Sequence, residues 1–143
     1  MKKIFSFILT IFMLVGVSGS ALANDEIMPL SSLYIDAYGV ALSAEGNGEM
    51  CVSMSVDGVG IQDKIGVVYV DIYEKRNGQW YAYDTLYATD HPEFYDYVSR
   101  DYMGDAYFEG TPGRSYYVTM KAYAGSDGGS DTRYISSEVV VCE

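Results

Sequence analysis

Two cysteines and fifteen tyrosines are the residues of this 143-residue chain whose types and spacing could do binding chemistry. Cys51 and Cys142 are the only cysteines, so a bridge within the chain has a single connectivity. It would close a loop of roughly 90 residues, worth on the order of 4–5 kcal/mol in chain entropy. Two free thiols and a bridge between two chains are the competing outcomes. A metal does not suit two sulfurs that lack further His or Cys ligands. His91, the only histidine, precedes Pro92 in an acidic segment, and no Ser or Cys can be tied to it as a nucleophile. It reads as a surface histidine. Paired carboxylates are abundant, but a glycosidase holds two of them across a cleft, and a small β domain has little room for one. A non-enzyme without a cofactor is expected.

The tyrosines alternate with apolar residues at a spacing of two. Tyr116, Val118, Met120 and Ala122 make one face of a strand, and Tyr117, Thr119, Lys121 and Tyr123 the other. If Val68, Val70 and Ile72 face the core, Tyr69 and Tyr73 face outward. Tyr81, Tyr83 and Tyr87 share one parity on the next run. With that parity outward, Tyr69, Tyr73, Tyr81, Tyr83, Tyr87, Tyr117 and Tyr123 form a flat face. Such a face can stack on sugar rings or meet a protein partner, since tyrosine joins apolar area to a polar tip. The competing reading is cross-strand pairing that only stabilises a solvated sheet, at ~0.2–1 kcal/mol per pair.

These residues need strands to position them, and the chain supplies strands. Met50 to Val56 alternates, Ile65 to Glu74 is rich in β-formers, and Asn77-Gly78 separates the latter from Trp80 to Ala88. Asn-Gly between β-prone runs signals a hairpin, because both residues tolerate positive φ. Leu33–Ser43, Asp105–Glu109, Ser115–Tyr123 and Tyr134–Cys142 complete seven expected strands. Asp57–Asp63, Thr89–Met103 and Ala124–Arg133 read as loops. Many short strands separated by turn signals predict an all-β, two-sheet antiparallel sandwich.

The compartment follows from the first 23 residues. Lys2 and Lys3 precede an apolar run, Ile4–Val17, of 14 residues, short of the ~20 a bilayer needs. Ala21-Leu22-Ala23 then supplies small residues for cleavage, so 1–23 read as a signal peptide, 24–32 as a flexible segment and 33–143 as the domain. Removing the leader leaves 120 residues and takes away two of the nine basic residues, so the formal charge goes from −11 to −13. That balance argues against nucleic acid and anionic membranes as partners. A secreted, soluble product with an extracellular protein or glycan partner is expected.

Pro112-Gly113-Arg114-Ser115-Tyr116, followed by Val118, Met120 and Ala122, resembles the sixth strand of a fibronectin type III domain, and Ser137–Val141 resembles its last strand. The whole chain also resembles small secreted proteins of Gram-positive bacteria. The first resemblance implies an immunoglobulin-like sandwich of about seven strands, with Tyr116 as its tyrosine corner. It implies that Cys51 and Cys142 lie at the same pole. Should Met50, Val52, Met54 and Val56 face inward, Cys51 faces out, and either a bulge or an edge position would reconcile this with a bridge. The resemblance also implies that the loops holding Asp57, Asp63, Asp127 and Asp131 meet at one pole, where carboxylates could take Ca²⁺. A solvated pair of acidic loops is the competing reading.

Overall fold

The computed structural model describes residues 32–143. The leader expected over 1–23 lies outside the described residues, as does the segment 24–32 apart from Ser32. Seven strands follow one another: β1 (Ile35–Gly46), β2 (Glu49–Arg76), β3 (Gln79–Tyr87), β4 (Tyr95–Glu109), β5 (Ser115–Ser126), β6 (Gly129–Ser136) and β7 (Val140–Val141). No α-helix is present among the described residues; one 3-10 turn, Pro92–Phe94, leads into β4.

All pairings are antiparallel, and β2 makes most of them. Its first part, Glu49–Asp57, lies between β1 and β4. Its later part, Tyr69–Glu74, lies between β3 and β5, and β5 carries β6 and β7 on its far side. The result is one continuous, curled, seven-stranded sheet. The curl lets side chains from both parts of β2 share one core. Met50, Val52 and Val56 join Val70, Ile72, Val118, Met120 and Ala122 there, all with no solvent exposure. Burying each of the larger ones contributes about 1.5–3 kcal/mol.

The hairpin at Asn77-Gly78 forms as its sequence predicts, with φ of 50° and 77° at the two residues. The three expected loops turn out to be largely strand. Asp57–Asp63 stays within β2, where the partner register jumps from Asp57 opposite Asp101 to Gln62 opposite Ser99. The glycines at 58 and 60 let the chain bulge there without leaving the sheet. Much of Thr89–Met103 is the first half of β4, whose Tyr95, Tyr97 and Ser99 pair with Gly66, Lys64 and Gln62. Ala124–Arg133 is likewise a hairpin with Asp127-Gly128 at its tip.

The expected Cys51–Cys142 bridge is absent: both are free, buried thiols. Strand parity explains this. Cys51 lies between the inward Met50 and Val52 and stands opposite Ser43 and Tyr107 on the outer side of the sheet. Cys142 belongs to the core cluster with Tyr116. Burial, followed by the charges of Glu109 and Glu143, pushes the Cys142 thiol pKa up, so it stays protonated and unreactive.

Candidate functional site

The outer side of the β3-β2-β5-β6 part of the sheet carries the aromatic face. Residues opposite each other on paired strands share a face, and the register sets Tyr73 against Tyr117, Tyr69 against Tyr87 and Lys121, and Lys121 against Tyr134. Gly66 stands between Tyr95 and Tyr123 in the same way. The rings touch: Tyr73 and Tyr117 stack at 4.8 Å and 12°, and Trp80 meets Tyr117 edge-on at 4.7 Å. Tyr69–Tyr87 and Tyr95–Tyr123 are edge contacts at 6.3 and 6.0 Å.

Five of the seven tyrosines expected on this face are on it: Tyr69, Tyr73, Tyr87, Tyr117 and Tyr123. Tyr81 and Tyr83 are not, and a bulge in β3 is the reason. Ile72 pairs with Asp84 and Tyr73 with Ala82, so Tyr83 is an extra residue and parity flips across it. Tyr81 therefore stands opposite the buried Glu74, with its ring 5.2 Å from the Arg76 guanidinium. Tyr83 packs edge-on against Tyr116 at 5.5 Å and donates to the Glu109 carbonyl. The same flip brings Trp80 onto the outer face. Tyr95, Tyr97 and Tyr134 also belong to it; Tyr95 and Tyr97 fell in a segment that reads as loop, and no alternation there pointed to them.

Lysines interleave the rings. The Lys64 ammonium lies 3.9 Å from the Tyr95 ring centre and 5.7 Å from that of Tyr123. Lys121 lies 5.7 Å from Tyr69 and 5.5 Å from Tyr134, and Lys75 lies 5.7 Å from Trp80. These are cation–π distances. Burial raises the phenol pKa of Tyr69, Tyr73 and Tyr95, so these hydroxyls remain donors at neutral pH. Where β3, the 3-10 turn and β4 meet, the face dips into a cleft of roughly 440 Å³. Lys64, Val68, Tyr87, Ala88, Thr89, Pro92, Tyr95 and Tyr97 line it.

The other expected residues have local duties. Tyr116 is buried, and its hydroxyl accepts the Thr111 N–H at 2.7 Å while donating to Glu74. Glu74, a buried carboxylate that strand alternation alone does not reveal, also takes Arg114 and Arg76, each at 2.8 Å. His91 lies 3.0 Å from Glu93 and stacks on Phe94 at 4.9 Å.

The four aspartates are not a metal centre: no group of three or more potential His, Cys, Asp or Glu ligands exists among the described residues. Asp57 sits within β2 opposite Asp101, and Asp63 leans on Ser126 through its backbone N–H. Asp127 is at a hairpin tip. Asp131, on β6, accepts from the Ser32 hydroxyl and the Leu33 and Tyr34 N–H groups. The Ser32 bond is the first cause holding its carboxyl below the usual aspartate range.

Comparison of the chain with protein-family models, with curated proteins and with solved structures yields no match.

Proposed function

We propose that the chain is a secreted, non-catalytic binding module and that the tyrosine face is its ligand surface. Export is supported by the Lys2-Lys3 and Ile4–Val17 pattern and the small residues at Ala21 and Ala23. The finer architecture we propose is the two-sheet immunoglobulin-like sandwich that the fibronectin type III resemblance implies. The ends of β2 support it: β1 pairs only with its first part, up to Gly58, and β3 only with its last, from Tyr69 on, while β4 runs along it from Glu49 to Gly66.

A glycan is the ligand the geometry supports best. The cleft carries this reading: it is concave, walled by Tyr87, Tyr95 and Tyr97, and supplied with few polar groups. Sugar rings present flat C–H faces to such walls and hydroxyls to the phenols. An extracellular protein partner is the second reading. The Tyr73–Tyr117 stack with Trp80 against it favours that one, since rings packed on each other make a rigid flat patch of the kind found at interface centres.

The test compares three proteins on a glycan array and in pulldowns from secreted protein: the wild type, Tyr87→Ala with Tyr97→Ala, and Met103→Ala as an exposed control away from the cleft. Glycan retention is expected to fall about tenfold or more in the double variant, with an unchanged melting temperature, and to persist in the control. Equal retention by all three removes the tyrosine face as the site. Capture of a protein by the same residues, with no glycan bound, replaces the first reading with the second.

A further inference from the structure

The charge of the tyrosine face runs against that of the molecule. The chain's formal charge is −11, yet Lys64, Lys75 and Lys121, the only lysines among the described residues, all stand on this face. None has a carboxylate partner. Glu74 instead pairs with Arg76 and Arg114, and Glu93 lies against His91. The face's own carboxylate, Asp71, is occupied by the Thr85 hydroxyl at 2.7 Å. The lysines rest on rings instead, and a ring holds an ammonium without neutralising it.

The cleft concentrates this arrangement. Its lining contains Lys64 and no Asp or Glu. An unpaired cation beside low-dielectric walls focuses a positive field into the concavity. In a chain with twice as many acids as bases, an acid-free cleft around a lysine selects for a negatively charged ligand.

We propose that the cleft is a subsite for a carboxylated saccharide of the uronic-acid type, its ring held among Tyr87, Tyr95 and Tyr97 and its carboxylate paired with Lys64. The proposal rests on the glycan reading above and names the ligand class. A sugar ring suits the space better than an acidic peptide does. An aspartate or glutamate side chain would reach Lys64 but leave most of the roughly 440 Å³ empty. Lys121, between Tyr69 and Tyr134, lies further along the same face, where a second acidic unit of a polymer would pass.

The experiment uses galacturonic-acid oligomers, the same oligomers after carboxyl reduction, and dextran sulfate, with wild type, Lys64→Gln and Lys64→Arg. Melting temperatures of all three proteins are taken alongside. Retention of the uronate oligomers is expected to be at least about tenfold stronger than of the reduced ones, to fall by a similar factor in Lys64→Gln, and to recover in Lys64→Arg. Equal binding of uronate and reduced oligomers overturns the acidic assignment while the glycan reading stands. Equal binding of dextran sulfate and uronate, undiminished in Lys64→Gln, overturns it as unspecific charge attraction. Absence of binding to every saccharide, here and on the array, removes both.

Discussion

Glu74 is the residue with the most at stake inside this domain. It is 1% exposed, and three neighbours satisfy its carboxylate: Tyr116, Arg114 and Arg76. Burial on its own raises a carboxyl pKa; the hydrogen bonds from Tyr116 and Arg114 and the two guanidinium charges outweigh it, and Glu74 ends below its usual range. A carboxyl depressed in the folded state stabilises above its unfolded pKa, near about 4.3, and loses that contribution as pH falls through the folded value. Glu74→Gln is therefore expected to cost on the order of 1–3 kcal/mol at pH 7, and less as the pH is lowered through 4. Urea titrations of both proteins at pH 7 and near pH 3 measure this; a constant gap between them would remove the carboxylate from the explanation. Tyr116 was legible as an inward residue from the alternation of its own strand, and its bond from the Thr111 N–H is local in sequence. Glu74 was not, because two of its three partners, Arg114 and Tyr116, lie about 40 residues further along, and a polar residue at an inward position is visible only when they arrive.

At the scale of elements, bulges decide what strand alternation leaves open. Period-two reading placed Tyr69, Tyr73 and Tyr117 correctly because β2 and β5 pair without interruption from Tyr69 to Glu74; a register shift just before Tyr69 puts Val68, expected in the core, in the cleft lining instead. It misplaced Tyr81 because one extra residue, Tyr83, reverses the parity between Tyr87 and Trp80. It missed Tyr95 and Tyr97 because His91-Pro92 and the acids around them carry the composition of a loop. What makes strand of that segment is a crossing at Gly66. This glycine has φ of 151°, and a Cβ placed there would lie 1.9 Å from the Phe94 carbonyl oxygen. Only glycine lets β4 approach β2 and bring Tyr95 beside Lys64. Gly66→Ala is expected to destabilise the domain by about 3 kcal/mol or more. It should also lose cleft binding at temperatures where the fold survives. A melting temperature within a degree or two of wild type would show that the crossing can relax.

For the whole molecule, the stability of the fold rests on the shared core and not on a covalent clasp. Cys51 and Cys142 are free and buried on different sides of the sheet wall. A thiol reagent is accordingly expected to label neither cysteine in the native protein and both in denaturant, and added reductant should leave the melting temperature unchanged. A drop of several degrees with reductant would contradict the free-thiol structure. The strand β2 has a kinetic consequence of its own. Its 28 residues take neighbours from strands that leave the ribosome much later, as far along as Ser115–Ser126. The backbone groups of β2 that face β4 and β5 have no partner until those residues exist. Folding of this chain should thus be a single slow event, on the ms–s scale of non-local β topologies, and its newly made form should stay open long enough to be threaded through a narrow channel.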